Sequence, residues 1–511
     1  MSKPLVLTFD IGTQSARAML VDSQGNIVIE KQKKYEKPYY SKEPQYAEQS
    51  ADFYWEALCE TSLSLKEEAG DLWQEVIAVT CTTIRDSCVC VDEDGKPLRD
   101  VILWLDKRET TDMEPLNPVK KLMFNVVGMG EAVELQRKVS ACNWIKTYER
   151  EIWDNTFKFL MISGYINYKL TGKFVDSCAS IIGHIPFDSK ARGWMKDNDL
   201  KRCIFDVEKE KLCEVIEPGE VIGCICESAS EATGIDSSLE LIATGSDKGC
   251  ETLGLSCSTP DKAAISFGTT ATVQFTTDKY MEPLPFIPSY PAVLKNHYNP
   301  EVQIYRGYWL ISWFKKEFAN KEIQEAKELG IDPEELLNMR LKDIPPGCFG
   351  LMFQPYFTPG VVMPKARGAV IGFSDIHTRI HIYRAIIEGI NFAIMDGLKT
   401  MERRGKIKVK SLYVAGGGSK SDEICQITAN MFGMPVYRIQ THEASGLGSS
   451  IVAFKAKGVF ENIEEALESM VHIKDEFEPD MKEHELYERL FEEIYKMIFP
   501  KLLPLYKKNI N

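Results

Sequence analysis

Two short segments rich in glycine and hydroxyl residues carry residue types that suit the binding of phosphate. Residues 9–17 read FDIGTQSAR, and about half a chain later residues 266–272 read SFGTTAT. Each is an apolar strand, a Gly-Thr turn and a second apolar strand. Such a turn directs backbone N–H groups and hydroxyls to one point, where they can bind phosphate oxygens. The pair of turns predicts a nucleotide-dependent phosphotransferase that binds a polyphosphate between two domains.

The first turn also carries a candidate metal ligand. Asp10 lies at the end of a strand, where a carboxylate can hold Mg²⁺ through water, and Gly12 permits the tight turn. The remaining candidates for phosphate binding are Thr13, Gln14, Ser15 and Arg17 in the first turn and Gly268, Thr269 and Thr270 in the second. A β-hairpin with a polar turn is the alternative interpretation, and the second copy favours the functional one.

A third glycine-rich segment follows the apolar residues 412–415 and precedes an amphipathic pattern. Ser421 is a suitable helix N-cap and Gly433 a suitable helix end. Backbone without side chains at a helix N-terminus allows a ribose or phosphate to approach closely. The segment predicts nucleotide binding by Gly416, Gly417, Gly418 and Ser419, with a flexible glycine loop as the alternative.

Three further segments carry charged or aromatic side chains that could take part in catalysis or in substrate binding. Asp247 ends the apolar strand before the second turn, where a carboxylate could accept a hydroxyl proton, although a lone Asp is usually a turn residue. Charged and aromatic side chains of the kind that bind polyols follow other strands. A surface ion pair and a core tryptophan are the alternatives, and spacing alone leaves the choice open for Arg85, Asp86, Trp104 and Asp106.

Composition limits the function and the number of domains. The 511 residues carry a net charge of −14, which argues against a general nucleic-acid or anionic-membrane binder. The fourteen cysteines lack metal-ligand spacing, so we expect reduced thiols and a cytoplasmic protein. Alternating strands and helices predict an α/β fold, and the distance between the two turns predicts domains at residues 1–256 and 257–511.

In this order, the segments resemble the FGGY carbohydrate kinases, members of the actin-like, sugar-kinase and heat-shock ATPase superfamily. Residues 368–373, 381–388 and 443–448 are similar to later motifs of that family, and the match spans nearly the whole chain. The resemblance implies two RNase H-like (actin-like ATPase) domains flanking a nucleotide cleft, with ATP and Mg²⁺ as cofactors. It implies sugar binding mainly by the first domain.

The resemblance also implies roles for individual residues. Asp247 falls at the catalytic-base position and Asp10 at the metal-proximal position. Gly268, Thr269 and Thr270 fall on the second phosphate loop, and the segment from Gly416 to Ser419 falls on the adenosine side.

The sugar is less closely defined by the resemblance. Xylulose kinases usually carry Met-His where this chain has Ile84-Arg85, whereas glycerol kinases carry Arg-Glu, which is closer to Arg85-Asp86. We expect phosphorylation of a ketopentose such as xylulose. The alternatives are a kinase of glycerol, another polyol or a signal precursor, and a non-sugar actin-like ATPase switch. The expected partners are the sugar and ATP, without nucleic acid or membrane, and a homodimer is left open.

Overall fold

The computed structural model describes residues 4–360 and 363–508 of the chain, which form two compact units. Among these residues, unit 1 comprises residues 4–254, 290–297 and 443–471, and unit 2 comprises residues 255–289, 298–442 and 472–508. Each unit has its own hydrophobic core. Residues 443–471, which come late in the chain, therefore belong to unit 1 together with the N-terminal residues.

Short strands and longer helices alternate along the chain. The strands are β1 Leu5–Ile11, β2 Ser15–Asp22, β3 Ile27–Lys34, β4 Glu48–Gln49, β5 Val76–Thr83, β6 Cys88–Val91, β7 Val101–Ile102, β8 Lys158–Met161, β9 Val175–Ser177, β10 Phe187–Asp188, β11 Gly193–Trp194, β12 Glu214–Ile216, β13 Val221–Cys224, β14 Glu240–Ile242, β15 Lys262–Phe267, β16 Ala271–Phe275, β17 Tyr290–Pro291, β18 Tyr298–Asn299, β19 Glu301–Ile304, β20 Met352–Gln354, β21 Ala369–Ile371, β22 Ser411–Ala415, β23 Val436–Ile439 and β24 Ile473–Phe477.

The α-helices are α1 Ala51–Ala69, α2 Pro118–Val126, α3 Gly130–Val139, α4 Ala141–Tyr148, α5 Arg150–Asn155, α6 Ile162–Thr171, α7 Glu227–Thr233, α8 Asp247–Gly254, α9 Trp309–Phe318, α10 Asn320–Leu329, α11 Pro333–Met339, α12 Arg379–Gly405, α13 Asp422–Phe432, α14 Ala444–Ala456, α15 Ile463–Met470, α16 Met481–Arg489 and α17 Lys496–Tyr506. None of the helices described in residues 4–360 and 363–508 has the length and apolar character that crossing a bilayer requires.

The central sheets of the two units have the same topology. In unit 1 the strand order is β13-β14-β5-β1-β2-β3, and in unit 2 it is β19-β16-β15-β22-β23-β24. Each sheet contains a three-strand antiparallel meander, then two strands parallel to the first strand of that meander, then an outer antiparallel strand. This arrangement confirms the α/β, RNase H-like fold class, and each of the two sheets carries one of the Gly-Thr turns.

The sequence located the first elements of unit 1 closely. The sequence pattern predicts a three-strand meander at residues 5–9, 17–22 and 27–30 and an amphipathic helix around residues 51–69, and the structure has these as β1, β2, β3 and α1. The strand ends were less accurate, because β2 begins at Ser15 and β3 extends to Lys34. Both extensions are paired by backbone hydrogen bonding, which continues past the last apolar residue that the pattern could detect.

Strand β1 is buried along its whole length, and polar side chains fix it to its neighbours. The Thr8 hydroxyl lies 2.9 Å from the Thr80 hydroxyl of β5 and 2.7 Å from the Ser450 hydroxyl of α14. A fully buried hydroxyl needs such partners because an unsatisfied one costs free energy. The strand that carries Asp10 is thereby held at a fixed height beside β5 and α14.

Helices α8 and α14 cross so closely in unit 1 that their backbones touch. A Cβ atom at Gly448 would lie 1.9 Å from the carbonyl oxygen of Cys250, and one at Gly254 would lie 2.0 Å from that of Ala444. Only glycine fits at both positions. The crossing matters for the site because α8 begins with Asp247.

We therefore expect Gly448→Ala to lower the free energy of unfolding by about 1–3 kcal/mol, since the new methyl group must push two backbones apart. Thermal unfolding measured by calorimetry checks this. Gly193→Ala is the matched control, because its Cβ would have no neighbour nearer than 4.0 Å. Equal unfolding temperatures for the two variants would contradict the close crossing.

Candidate active site

The first Gly-Thr turn connects β1 to β2 and is closed by its own backbone. The Gly12 N–H donates to the Ser15 carbonyl at 2.9 Å, and the Gln14 carbonyl accepts from the Tyr35 N–H at 2.9 Å. Gln14 is exposed, Gly12 and Thr13 are partly exposed, and Ser15 is buried. A turn that is rigid before a ligand arrives loses little conformational entropy when it binds one.

The second turn, residues 268–270, connects β15 to β16 in unit 2. The carbonyls of Gly268 and Thr269 accept from the N–H groups of Tyr308 and Trp309 at 3.0 and 3.4 Å, and the Thr270 hydroxyl donates to the Tyr305 carbonyl at 3.3 Å. The start of α9 therefore holds this turn, a contact that the sequence did not indicate.

Asp10 lies buried among other carboxylates of unit 1. Burial raises its pKa to about 7; Arg17 opposes that rise, while Asp247, Glu443 and Glu251 add to it. Arg17 does not serve Asp10 alone, because its Nε atom lies 3.3 Å from a Glu443 oxygen and 3.6 Å from a Glu30 oxygen. Asp10, Glu443 and Glu30 therefore share the Arg17 guanidinium, an excess of acids over that cation.

This excess of negative charge fits a divalent cation. Within residues 4–360 and 363–508, no group of three or more acidic, histidine or cysteine side chains stands ready to hold a metal ion. Mg²⁺ is usually bound through one or two carboxylates together with substrate phosphates and water. A single acid at a phosphate turn is the donor set that such an ion takes, so Asp10 fits the metal-proximal role that the sequence predicts.

Asp247 is the first residue of α8. Its Oδ1 atom accepts from the Lys248 N–H at 2.7 Å and lies 3.9 Å from Nε of Arg85. The preceding turn is held by the Thr82 hydroxyl, which donates to the Gly245 carbonyl at 2.9 Å. Gly245 is packed so tightly that a Cβ there would lie 2.5 Å from a methyl group of Val293. The carboxylate is partly exposed and rigidly positioned, as a general base requires.

Arg85 and Asp86 follow β5, on the loop that leads to β6. The Arg85 guanidinium lies over the Tyr290 ring at 5.6 Å, a cation–π contact. Asp86 has a positive φ of 50° and accepts both the backbone N–H of His184, at 2.9 Å, and its Nδ1, at 2.7 Å. Burial alone would raise the pKa of Asp86, but His184 and Arg85 hold it below its usual value.

His184 is a residue that the sequence did not identify. No motif marks it; its one local signal is the preceding Gly183, whose φ of +150° and closeness to Asp86 exclude a side chain. Burial would lower the pKa of His184, but the Asp86 carboxylate outweighs it and raises that pKa. Each side chain of the pair therefore stabilises the charged form of the other.

Trp104 and Asp106 have different surroundings. The indole N–H of Trp104 donates to the Thr13 hydroxyl at 3.0 Å, which joins a candidate sugar-binding ring to the first phosphate turn. Asp106 is buried and accepts from the Ala47 N–H at 2.6 Å and from Arg108 Nε and Nη2, each at 2.8 Å. These bonds occupy its oxygens, so the geometry favours a positioning role for Asp106.

The remaining glycine-rich segment lies in unit 2. Gly416 has a φ of +84°, and the Ser419 hydroxyl donates to its carbonyl at 2.7 Å. A Cβ at Gly418 would lie 2.3 Å from the Tyr308 ring, whereas one at Gly417 would meet nothing within 4 Å. As predicted, Ser421 caps α13, accepting from the Ile424 N–H at 3.3 Å, and Gly433 ends this helix at a φ of +64°.

The candidates thus fall into two groups. The structure brings together in unit 1 the acids, cations and aromatic ring that the sequence singled out, and unit 2 holds the second turn beside the strand β22 that leads to the other glycines. Two sheets of one RNase H-like topology, each with a Gly-Thr turn after its first strand, define an ATPase fold of the actin-like type. An acid at a strand end and a second at a helix start suit phosphoryl transfer.

Comparisons with known proteins give the family. Residues 5–254 match the N-terminal domain and residues 263–457 the C-terminal domain of the FGGY family of carbohydrate kinases. The chain belongs to this family, whose members are phosphotransferases that take phosphate from ATP.

Individual relatives that are similar to this chain also carry the names of carbohydrate kinases. Xylulose kinase of Staphylococcus epidermidis is 28% identical over 517 residues, covering 97% of both chains. The uncharacterized sugar kinase YgcE of Escherichia coli is 27% identical over 503 residues, covering 97% of this chain and 93% of its own. The crystal structure of gluconate kinase from Lactobacillus acidophilus has a TM-score of 0.83 at 23% identity, covering 99% of this chain and 100% of that one, and confirms the fold.

The buried charge at Asp10 makes stability depend on pH. Its pKa rises from 3.8 to about 7 on folding, so the native state binds more protons than the unfolded state between these values and loses stability as pH rises through them. Without nucleotide and metal, we expect Asp10→Asn to stabilise the protein at about pH 8 by up to ~4 kcal/mol, and far less at about pH 5. Denaturant unfolding at the two pH values measures this.

Asp71→Asn, at an exposed acid, is the control and should change stability equally little at both pH values. If Asp10→Asn gave the same difference from the parent protein at both pH values, the raised pKa of the buried Asp10 carboxyl would be disproved.

Proposed function

We propose that this carbohydrate kinase phosphorylates a small open-chain sugar or polyol, with a ketopentose such as xylulose as its substrate and Asp247 as its general base. The arrangement of Asp247 carries the proposal. Its carboxylate is partly exposed at the start of a helix, lies beside the Arg85 guanidinium and is close enough to Asp10 to raise the pKa of that acid.

In the proposed reaction, Asp247 accepts the proton of the substrate hydroxyl as its oxygen attacks the γ-phosphorus of ATP. The bond from that phosphorus to the bridging oxygen breaks, and ADP carries the electron pair away. An aspartate with an ordinary pKa of about 3.9 is a weak base, so most of the effect must come from positioning. The tight packing of Gly245 and the bond from Thr82 supply that positioning.

The proposed nucleotide contacts use both glycine-rich turns. In unit 1, Gly12, Thr13, Gln14, Ser15 and Arg17 would bind phosphate. When bound, Mg²⁺ would neutralise charge on the phosphates, with Asp10 as its nearest protein ligand. In unit 2, the proposed contacts to phosphate and adenosine are Gly268, Thr269, Thr270, Gly416, Gly417, Gly418 and Ser419.

For the acceptor, Arg85, Asp86 and Trp104 would form the binding surface, with Asp106 supporting it. Two proteins similar to this chain over nearly its whole length carry the names xylulose kinase and sugar kinase, which supports an acceptor of this class. The Arg-acid pair at residues 85–86, which resembles glycerol kinases, keeps a polyol as the alternative acceptor. The proposed domains, residues 1–256 and 257–511, follow the two family segments.

A panel of acceptors tests the proposal. ATP turnover is measured in a coupled assay with no acceptor and then with xylulose, ribulose, glycerol, fructose and gluconate. We expect xylulose to give the highest kcat/KM and the background without an acceptor to be low. Turnover that no acceptor stimulates would favour an ATPase switch, and preference for glycerol would move the assignment to the polyol alternative.

We expect Asp247→Asn to lower kcat by about 10²- to 10⁴-fold, because loss of a general base costs that much. The amide keeps the size of the side chain, so ATP affinity, measured by calorimetry, should change little. Asp236→Asn is a matched control: its carboxylate also accepts a nearby backbone N–H, that of Ser238, but it is exposed. More than about a tenth of the parent activity in Asp247→Asn would reject the base role.

A further inference from the structure

One segment of unit 1 links the proposed base to the proposed acceptor-binding residues. The Ala179 carbonyl accepts from the N–H of Ser246, the residue before Asp247, at 3.1 Å. Three residues further on, the Ile182 carbonyl accepts from the Asp86 N–H at 2.9 Å. His184 therefore lies at the end of a segment that is bonded to both groups, although Asp86 and His184 are far apart in sequence.

The ring of His184 is held on one side only. Because a carboxylate can only accept, Nδ1 carries a proton and donates it to Asp86 Oδ2 at 2.7 Å. The Phe205 ring packs edge-on against the imidazole at 5.8 Å. The other ring nitrogen, Nε2, has no partner in the described part of the chain, and 28% of the side chain is exposed. One polar atom of a fixed ring is thus available to a ligand.

Both carboxylate oxygens of Asp86 are hydrogen-bonded to His184. Its Oδ1 accepts the His184 backbone N–H and its Oδ2 accepts the ring, while a positive φ of 50° holds the residue in an unfavourable conformation. Gly183 leaves room for Oδ1, since a Cβ there would lie 2.3 Å away. The unusual backbone conformations of Asp86 and Gly183 therefore both support the contact between Asp86 and His184. Backbone strain of this kind persists where function or packing requires it.

We propose that His184 joins Arg85, Asp86 and Trp104 at the acceptor surface by binding the acceptor through Nε2, and that Asp86 contributes to this surface by orienting the His184 ring. The proposal rests on the proposed function, because it assigns a contact in the same acceptor site. In its protonated form the ring would donate a hydrogen bond from Nε2 to a hydroxyl, carbonyl or carboxylate oxygen of the acceptor. No proton is transferred in this role. A charged donor in a fixed ring discriminates among acceptors by whether an oxygen lies opposite it.

Two substitutions separate the two nitrogens of the ring. In His184→Asn the amide N–H₂ takes the position of Nδ1, which preserves the bond to Asp86 and removes the outer donor. In His184→Gln the amide takes the position of Nε2, which preserves the outer donor and removes the bond to Asp86. If His184 has only a structural role, the Asn variant should bind the acceptor more tightly than the Gln variant. If His184 binds the acceptor, the Gln variant should bind it more tightly.

For the best acceptor of the panel, we expect His184→Asn to raise KM by about 10- to 100-fold, the effect of losing a hydrogen bond from a charged donor. KM for ATP and the unfolding temperature should stay near those of the parent. His184→Gln should keep KM for the acceptor nearer the parent value and unfold at a lower temperature. His297→Asn, at a histidine whose Nδ1 contacts only the Lys295 carbonyl, is the control and should change neither KM.

An acceptor KM in His184→Asn within twofold of the parent would overturn the proposal. A lower acceptor KM in the Asn than in the Gln variant, or failure of the Asn variant to fold, would do the same, since either would make the Asp86 bond the essential one. A parent enzyme that phosphorylates no acceptor of the panel would instead refute the proposed function. The two failures are therefore distinguishable.

Discussion

Burial of the Asp10 carboxylate among other acids at the end of β1 is the constraint on which the site depends. Burial raises the pKa of Asp10, three other carboxylates add to the rise, and Arg17, which opposes it, also contacts Glu443 and Glu30. Such an arrangement lowers the free energy of unfolding, because burial destabilises the charged form of the carboxyl group and nearby like charges destabilise it further. In the proposed function, this cost would fall when Mg²⁺ binds together with the phosphates of ATP. The arrangement would then favour ligand binding over the stability of the free chain.

The rest of unit 1 is arranged to keep that charge in place. The hydroxyl contacts of Thr8 fix β1, and the close crossing of α8 and α14 fixes the helix that begins with Asp247. The same helix α14 follows directly on Glu443, the partner of Arg17. One crossing therefore sets the positions of the proposed base and of Glu443, which contacts Arg17 of β2.

The sequence revealed what is local and missed what is brought together by folding. Gly-Thr turns, the Ser421 cap and helix α1 depend on neighbouring residues, so pattern and residue type were enough to predict them. The pairing of Arg17 with Glu443 joins residues near opposite ends of the chain, and the sequence gives no sign of it. Asp106 shows a different limit: its type suggested contact with a sugar, but its buried side chain and four N–H donors of Ala47 and Arg108 favour a positioning role.

Membership of the family defines the reaction, phosphoryl transfer from ATP, more closely than it defines the acceptor. This difference has a physical reason. Phosphoryl transfer needs a base, a metal-bound acid and phosphate turns, and these can be built from short motifs on the two sheets. Choice of acceptor depends on a few hydrogen bonds, since a site built to bond one oxygen discriminates strongly against a molecule that lacks it. In this chain the Arg85-Asp86 pair proposed to bind the acceptor is supported by a loop, residues 179–184, that lies far from it in sequence. If His184 of this loop binds the acceptor as proposed, residues outside the recognised motifs take part in the choice of acceptor.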